Sequence, residues 1–470
     1  MELRALLERV DPAASIAASA VPDDRQIDAI VHDSRAVGPG ALFCALVGDA
    51  FDGHRFVPEA IRRGAVAVLV RAGTAVSADA DVAVLHAADT RVAMAHLAAA
   101  HAGHPSRDLE VVGVTGTNGK TTTVHLLAHV ASSAGVSART MGTLTGARTT
   151  PEATDIQPLL ATWRAEQVQM VAMEVSSHAL AQHRVDGIRF RVAGFTNLSE
   201  DHLDYHPSMN EYFAAKARLF TPELSERAVV VADRPHGRLL VDTATIPVTA
   251  IHPDEHLLLG SSLTHLEFEW RDRRVRLPFG GRFNAANAIL AAELAVALGL
   301  PVDQIAAGLQ SAPPVPGRFE PVVAGQPFGV IVDYAHTPDS LTRVLASVRE
   351  DAHGGNVIVV FGCGGDRDAA KRPLMGQAAE QGADRVIITS DNPRSEDADA
   401  IISDVQRGMT TSAVVVPDRR EAIAAALRDA RPGDVVVIAG KGHETTQIIG
   451  SESQPFDDRL VARDILDAPA

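Results

Sequence analysis

Lysine is rare in this chain and stands only where the neighbouring residues indicate chemistry. Of the 43 lysines and arginines, four are lysines. They are Lys120, Lys216, Lys371 and Lys441. A lysine amine can lose its proton, whereas an arginine guanidinium stays charged, so the two residues are not exchangeable in an active site. The four lysines therefore indicate an active site.

The most specific chemical signal is a glycine-rich loop around the first lysine. It follows the apolar run 111–114 and consists of Gly116, Thr117, Asn118, Gly119, Lys120, Thr121 and Thr122. In such a loop the backbone amides and a helix N-terminus cradle phosphates, the lysine neutralises the outer phosphates and a threonine hydroxyl holds Mg²⁺. The usual pattern has glycine where this chain has Val114, so the loop is a variant. We predict a nucleoside triphosphate site.

Two residues further along suit a metal ion beside the phosphates. Glu174 ends an apolar run and His202 lies in an acidic loop. A carboxylate and an imidazole are reasonable ligands for a second Mg²⁺, although Mg²⁺ usually prefers oxygen. From residue type alone, helix capping and solvated surface roles stay open for them.

The elements that must position these residues form three blocks. Residues 1–105 mix short apolar runs with glycine, proline and aspartate, and residues 106–316 begin at the strand before the loop and end at a proline-rich linker. Residues 317–470 alternate β-rich runs with helical segments such as 421–430. Because apolar strands separated by helices are typical of parallel sheets covered on both faces, we predict an α/β protein of three domains with these boundaries.

Polar residues follow several of the predicted strands at the point where each strand ends. These residues are Glu174, Asp333, Asp391 and Lys441. Ligands bind at the carboxyl edge of open parallel sheets, so we expect these side chains to lie in binding sites. Between the sheets, alternating residues in 266–277 predict a half-exposed hairpin.

Composition disfavours several classes of partner. The formal net charge of −16 repels polyanions and the aromatic share of 4% leaves little to stack on bases, so nucleic acid is not expected. Two cysteines far apart in sequence predict neither a disulfide framework nor a thiolate metal site. Charges interrupt the first nine residues, and Asn287 and Glu293 interrupt the most apolar stretch. We therefore expect a cytoplasmic location, with no signal peptide and no contact with a membrane.

Three segments, taken in order, resemble the Mur ligases. They are Gly-Thr-Asn-Gly-Lys-Thr-Thr at 116–122, Met-Glu-Val-Ser-Ser-His at 173–178 and Thr-Asn-Leu-Ser-Glu-Asp-His-Leu-Asp-Tyr-His at 196–206, followed by Lys216. The resemblance extends over essentially the whole chain. It implies a small mixed α/β N-terminal domain that binds a uridine nucleotide, a central P-loop ATPase α/β domain and a C-terminal Rossmann-like domain that binds an amino acid.

The resemblance also implies roles for the nucleotide and metal residues. Lys216 would carry a carbamate derived from CO₂ (N6-carboxylysine) and would act in catalysis with Lys120, Glu174 and His202. Mg²⁺ would be held by Thr121, Glu174 and His202. ATP would contact Gly116 to Thr122, together with Asn287, Arg318 and Asp333. By residue type alone, Asn287 also suits a helix start.

Two further sets of residues match positions that hold the other substrates of the family. The set for UDP-MurNAc-L-Ala-D-Glu is Ser34, Asp49, Ala50, Phe51, Arg148, Thr149, Thr150, Ser176, Gln182 and Arg184. The set for meso-diaminopimelate is Arg367, Asp391, Asn392, Pro393, Arg394, Gly440 and Glu444. Arg394 suits a bidentate contact with the distal carboxylate of diaminopimelate, a group that lysine lacks.

The resemblance implies an ATP-dependent ligase of peptidoglycan precursor synthesis that adds meso-diaminopimelate to UDP-MurNAc-L-Ala-D-Glu through an acyl phosphate. We expect it to act as a monomer on small-molecule substrates. Three alternatives stay open from the sequence. The ligase could take L-lysine or another diamine, the chain could be similar to folylpolyglutamate synthetase, or it could be a phosphate-loop NTPase switch.

Overall fold

The computed structural model describes residues 1–19, 25–48, 51–77 and 81–468. Its N-terminal part contains one small sheet. The strands are β1 (Ile16–Ser19), β2 (Ala29–Val31), β3 (Ala41–Cys44), β4 (Ala65–Arg71) and β5 (Ala83–Ala87), and the helices are α1 (Leu3–Arg9), α2 (Val57–Arg62) and α3 (Thr90–His101). The sheet order is β1-β5-β4-β3-β2, with β1 antiparallel to β5 and the other neighbours parallel.

The central part is built on a fully parallel sheet of six strands. The strands are β6 (Glu110–Thr115), β7 (Ala138–Met141), β8 (Met170–Glu174), β9 (Val192–Phe195), β10 (Ala228–Val231) and β11 (Val248–Ile251). The helices are α4 (Lys120–Ser133), α5 (Ala153–Ala165), α6 (Ser177–Ala181), α7 (Met209–Ala217), α8 (Pro235–Thr243), α9 (Phe283–Ala297) and α10 (Val302–Gln310). The order β11-β10-β9-β6-β8-β7 places β6 between β8 and β9, so the loop after β6 opens where the chain connections diverge.

Burial on both faces explains why β6 is apolar from Val111 to Val114. Val112 and Val114 pack against α4 and α9 in one core, whereas Val111 packs in a second core on the other face with Phe190 and Met173. A strand buried on both sides cannot alternate apolar and polar residues. The prediction of a parallel sheet covered on both faces is therefore confirmed.

A small antiparallel sheet follows the central sheet. Its strands are β12 (Leu258–Ser262), β13 (His265–Trp270) and β14 (Arg273–Leu277). Leu266, Phe268 and Trp270 are buried, and Glu269 between them is exposed, which is the alternation that predicted the hairpin. The structure adds β12 as a third strand that the sequence pattern did not indicate.

The C-terminal part contains a second sheet of six strands and a terminal hairpin. The sheet strands are β15 (Glu320–Pro321), β16 (Gly329–Asp333), β17 (Val357–Phe361), β18 (Arg385–Ile388), β19 (Val414–Val415) and β20 (Val435–Ala439), and the hairpin strands are β21 (Thr446–Ile449) and β22 (Glu452–Pro455). The helices are α11 (Pro338–Asp351), α12 (Lys371–Gly382), α13 (Ala398–Gln406), α14 (Arg419–Asp429) and α15 (Asp458–Asp467). The order is β15-β16-β20-β17-β18-β19, parallel except for the pair β15 and β16.

The positions of the predicted site residues relative to the strands follow from this topology. Glu174 and Asp333 are the last residues of β8 and β16, and Asp391 and Lys441 follow β18 and β20 within three residues. All four therefore lie at the carboxyl edges of the two large sheets. Among the residues that the structure describes, no helix combines the length and apolar character needed to cross a membrane.

Candidate active site

The phosphate loop joins β6 to α4, and two of its glycines are required by close neighbours. Gly119 precedes α4 with a φ of +88°, and a Cβ at this position would collide with Oδ1 of Asn287. Gly116 has a φ of +145°, and a Cβ there would collide with Oγ1 of Thr196. The loop is therefore held between α9 and the end of β9. Its backbone amides lie at the N-terminus of a helix of 14 residues, an arrangement that suits phosphate.

Two lysines reach the same backbone oxygen of this loop. Lys120 Nζ donates to Gly116 O at 2.9 Å and to Thr117 O at 2.8 Å. Lys216 Nζ, from α7, also donates to Gly116 O at 2.9 Å. Burial lowers the pKa of Lys120, and the nearby carboxylate of Glu174 opposes that change. Lys120 lines the cavity beside the loop, whereas Lys216 is buried behind it.

Lys216 lies in an environment that favours its neutral form. The side chain is 1% exposed, and Nζ lies 4.4 Å from the ring centroid of Tyr212, one turn earlier on α7. The Tyr212 hydroxyl lies 3.1 Å from Thr117 Oγ1, which ties α7 to the phosphate loop. Burial, followed by the charge of Lys120, lowers the pKa of Lys216 well below its usual value. A deprotonated amine is the form that reacts with CO₂.

Glu174 and Thr121 form the oxygen-rich part of the site. Thr121 Oγ1 donates to Glu174 Oε2 at 3.0 Å, and the Thr143 backbone N–H donates to Oε1 at 2.8 Å. The Thr143 hydroxyl lies 3.2 Å from Oε2. Carboxylate and hydroxyl oxygens are the ligands that Mg²⁺ prefers, so this part of the site fits a magnesium ion.

His202, the third predicted metal ligand, lines the same cavity but has a different partner. Its Nε2 lies 3.3 Å from Asp201 Oδ2. Burial lowers the pKa of His202 to about 4, although Asp201 opposes this, so the imidazole is neutral near pH 7. Within the described part of the chain, no group of three or more His, Cys, Asp or Glu side chains is arranged to hold a metal. His202 as a ligand stays a prediction.

A cavity of about 600 Å³ lies between the central and C-terminal parts, and the phosphate loop forms part of its lining. Arg318 crosses it, with Nη2 donating to Thr121 Oγ1 at 3.2 Å and the guanidinium 4.4 Å from the ring centroid of Tyr334. Asn118 Nδ2 donates across it to Asp339 Oδ2 at 3.0 Å. Residues of the C-terminal part therefore contact the phosphate loop directly.

The other two predicted ATP residues have partners within the protein. Asp333 accepts from the backbone N–H groups of Phe319 at 2.6 Å and Ala335 at 2.7 Å. Burial raises the pKa of Asp333 to about 6. Asn287 is buried against Gly119, and its Nδ2 donates to Asn284 Oδ1 at 3.0 Å. Both residues line the cavity while also bracing its walls.

Residues of the predicted nucleotide-sugar set meet beside Glu174. Thr150 Oγ1 donates to Glu174 O at 2.9 Å and accepts from the Ser176 backbone N–H at 3.0 Å. Arg184 donates to Thr150 O at 2.9 Å and to Gln182 Oε1 at 2.6 Å. Two more members of this set make contacts nearby. Thr149 Oγ1 lies 3.1 Å from Thr143 Oγ1, and Arg148 forms an ion pair with Glu152 at 2.8 Å.

The residues predicted for the uridine end lie in the N-terminal part. Ser34 begins a 3₁₀ turn, Ser34–Ala36, and the Phe51 side chain is 65% exposed. Asp49 and Ala50 lie outside the described residues. His32 Nδ1 lies 3.0 Å from Thr154 Oγ1, so this part of the chain contacts the central part near the Thr150 cluster.

Several of the residues predicted to bind the amino acid form a hydrogen-bonded cluster at the carboxyl edge of the second large sheet. Asn392 Nδ2 donates to Glu444 Oε2 at 2.8 Å, and Lys441 Nζ donates to both residues. Arg394 has a φ of +53° and donates from Nη1 to Gly365 O at 2.6 Å. The other predicted residues lie nearby. Asp391 is buried against Gly440, and Pro393 O packs on Gly365. Arg367 Nη1 donates to Asp366 O at 3.4 Å.

Sequence reasoning missed three charged residues that the structure places here. Glu152 is buried and pairs with both Arg148 and Arg184, the latter at 2.9 Å. Asp339 contacts Asn118, and Arg419 donates to the carbonyl of Ala439. Glu152 and Asp339 lie beside motif residues, but an acidic residue at the start of a helix is usually a capping residue. Arg419 lies near no motif in the sequence.

Comparison with known proteins identifies the family of this chain. Three family profiles match consecutive parts of the chain, namely "Mur ligase family, catalytic domain" at residues 26–104, "Mur ligase middle domain" at 114–295 and "Mur ligase, glutamate ligase domain" at 317–442. The chain therefore belongs to the Mur ligase family, with its three-domain architecture.

Individual proteins of known name are also similar to this chain. The UDP-N-acetylmuramoyl-L-alanyl-D-glutamate--2,6-diaminopimelate ligase of Streptomyces coelicolor is 44% identical over 95% of this chain and 94% of its own length. A solved structure of a ligase of that name is 33% identical, with a TM-score of 0.67 and 96% coverage of both chains. The folylpolyglutamate synthase of Mycobacterium tuberculosis is 18% identical, covers 79% of this chain and 94% of that one, and shares the fold with a TM-score of 0.61.

Proposed function

We propose that this chain is an ATP-dependent ligase that joins meso-2,6-diaminopimelate to UDP-MurNAc-L-Ala-D-Glu in the synthesis of peptidoglycan precursors. The observation that carries the proposal is the pairing of two sites. A phosphate loop lies on one side of the interdomain cavity, and a hydrogen-bonded cluster of Asn392, Lys441 and Glu444 lies at the carboxyl edge of the other sheet. Near-full-length similarity to ligases named for this reaction supports it.

The residues present can carry out the reaction in two steps. The γ-phosphoryl group of ATP passes to the free side-chain carboxylate of D-glutamate, giving an acyl phosphate and ADP. The amine of the incoming amino acid then attacks the acyl carbon, loses a proton and expels inorganic phosphate. Lys120, the loop amides and Arg318 would offset the charge on the transferring phosphoryl group.

Magnesium has an oxygen-lined place beside the phosphate loop. Thr121 and Glu174 would hold it, with His202 as the further ligand expected from the resemblance. When bound, the metal neutralises phosphate charge during transfer. The backbone of the loop that begins at Gly116 and the amine of Lys120 would orient the phosphates.

Lys216 is proposed to be carbamylated. Its neutral amine would attack CO₂, forming a C–N bond and releasing one proton, so that a neutral side chain becomes an anionic one. The burial of Lys216 and its position beside Lys120 support this step.

The remaining assignments are part of the same proposal. The domains would be 1–105 for the uridine nucleotide, 106–316 for ATP and 317–470 for the amino acid. The substrate sets centred on Thr150 and on Asn392 would bind the muramoyl dipeptide and diaminopimelate. We also propose that the protein is a cytoplasmic monomer. We propose that it acts on small molecules and not on nucleic acid.

The decisive experiment measures phosphate release from ATP with UDP-MurNAc-L-Ala-D-Glu and either meso-diaminopimelate or L-lysine. We expect release that depends on both substrates, with mass spectrometry detecting the tripeptide product of diaminopimelate. Efficient use of lysine would overturn the choice of amino acid. ATP hydrolysis without any peptide product would overturn the ligase itself.

A further inference from the structure

Lys441 is buried next to the pocket proposed for the amino acid. Its side chain is 0% exposed, directly after Gly440 at the end of β20. Nζ donates to Asn392 Oδ1 at 3.0 Å and to Glu444 Oε2 at 3.1 Å. An ammonium removed from water needs such acceptors, and full burial keeps it from direct contact with a substrate.

One effect of Lys441 is to fix the orientation of the Asn392 amide. Asn392 Oδ1 accepts from Lys441 and also from the backbone N–H of Ile448 at 2.9 Å. Two donors on one oxygen require the carbonyl to face them. Nδ2 is consequently directed to Glu444, where it donates at 2.8 Å.

A second effect is to hold one oxygen of Glu444. Oε2 accepts from both Lys441 and Asn392. The side chain of Glu444 stays 31% exposed, so its other oxygen remains available to an ammonium group in the pocket. Removal of Lys441 would free this carboxylate to rotate and would leave its charge uncompensated.

We propose that Lys441 is a positioning residue that sets recognition of the incoming amino acid by orienting Glu444 and Asn392. This inference rests on the proposed function, because it concerns the pocket of the same ligase. A compact ammonium reaches both acceptors from a closed site, which a branched guanidinium cannot do without displacing the surrounding backbone. Lysine at 441 is thus explained by geometry.

The test is Lys441→Met, which keeps an unbranched side chain of similar length and removes the charge. We expect the KM for meso-diaminopimelate to rise at least tenfold, with the KM values for ATP and for UDP-MurNAc-L-Ala-D-Glu within twofold of the unsubstituted protein. Combining Lys441→Met with Glu444→Gln should cost no more than Glu444→Gln alone.

The control is Arg385→Met, which removes a partly exposed pair with Asp429 elsewhere in the same domain. It should leave all KM values unchanged within twofold. Should Lys441→Met fail to fold, Lys441→Arg keeps the charge and misplaces it, and the same selective rise is expected.

An unchanged KM for diaminopimelate, or an equal rise in the KM of every substrate, would overturn the role of Lys441. Absence of diaminopimelate-dependent phosphate release by the unsubstituted protein would instead overturn the proposed function. The two failures are therefore distinguishable.

Discussion

Arg318 Nη2 donates to Thr121 Oγ1 at 3.2 Å, so a guanidinium that precedes the C-terminal sheet contacts the first turn of the phosphate-loop helix. The guanidinium also lies over the ring of Tyr334, 4.4 Å from its centroid, which fixes its orientation in the cavity. Because stacking uses the face of the planar group and donation uses its edge, Arg318 retains further N–H donors for a phosphate.

Replacement of Arg318 should therefore impair catalysis more than folding. In Arg318→Lys, we expect kcat to fall roughly a hundredfold, because a point charge loses both the stacking and the forked donors. Steady-state kinetics with ATP as the varied substrate will measure it. Tyr334→Phe keeps the ring and is the matched control, expected within about threefold of the unsubstituted enzyme. Equal loss in the two variants would contradict the argument.

Lys216 should bind CO₂ reversibly. With ¹³C-labelled bicarbonate, we expect a carbamate signal in the protein that is lost in Lys216→Arg, because a guanidinium stays protonated. Activity should fall in buffer depleted of CO₂ and recover when bicarbonate is added. Full activity in depleted buffer, together with no labelled signal, would show that Lys216 works as an unmodified amine.

Arg394 should decide between diaminopimelate and lysine. Its guanidinium is held by Gly365 O at 2.6 Å, which leaves other N–H groups for a carboxylate. In Arg394→Met, kcat/KM for diaminopimelate should fall by roughly tenfold to a hundredfold, the range for a lost charged hydrogen bond. L-Lysine lacks the distal carboxylate, so the weak activity with lysine is the internal control and should stay within about threefold. A parallel loss with both amino acids would contradict the assignment.

Local patterns in the sequence predicted the parts of the fold that depend on neighbouring residues. The phosphate loop between β6 and α4 and the hairpin of β13 and β14 are two such parts, since periodicity and turn residues determine them. Element ends were less accurate: the predicted helix 421–430 extends from Arg419 to Asp429. The strand β12 carries no clear alternation and was missed.

Contacts between domains could not be predicted from one sequence. Asn118 and Asp339 are 221 positions apart, and nothing in the types of these residues indicates that they form a hydrogen bond. Glu152 lies two residues after Thr150, but its pairing with Arg184 depends on how the segments that precede α5 and follow α6 pack. The sequence identified the chemistry of the loops, whereas the packing of the sheets determines which loops meet.

Two buried aspartates should give opposite dependences of stability on pH. Burial raises the pKa of Asp333 to about 6, so its contribution to stability is fully present below pH 3.8 and is lost as the pH rises through 6. For Asp434 burial has the same direction, but the backbone N–H groups of Arg431 and Asn356 outweigh it and lower the pKa. Its contribution is present above its unfolded value of about 3.8 and is lost at lower pH.

Urea denaturation between pH 4 and pH 7 will separate these contributions. Asp333→Asn should remove a decrease in the free energy of unfolding on the order of 2 kcal/mol between pH 4 and pH 6. Asp434→Asn is the matched control and should leave that decrease in place. The same pH profile in the unsubstituted protein and Asp333→Asn would contradict the raised pKa of Asp333.

Arg419 and Asp458 form an ion pair whose side chains are both 0% exposed, with two hydrogen bonds of 2.7 Å. Removing one partner leaves a buried charge, so Asp458→Asn should lower the free energy of unfolding by about 3 kcal/mol or more. The double variant Arg419→Met/Asp458→Leu removes both charges and should be less destabilised. A double-mutant cycle in urea will measure the difference, and additive losses would contradict it.

The same pair also supports the amino-acid pocket. Arg419 donates to Ala439 O at 2.9 Å and to Ser390 O at 3.4 Å, and these carbonyls directly precede Gly440 and Asp391. The double variant should therefore fold but lose these two hydrogen bonds. Its KM for diaminopimelate should rise, while its KM for ATP should stay within about twofold. A stable double variant with an unchanged KM would limit the pair to folding, because only loss of the carbonyl contacts distinguishes a role in the pocket from a role in the core.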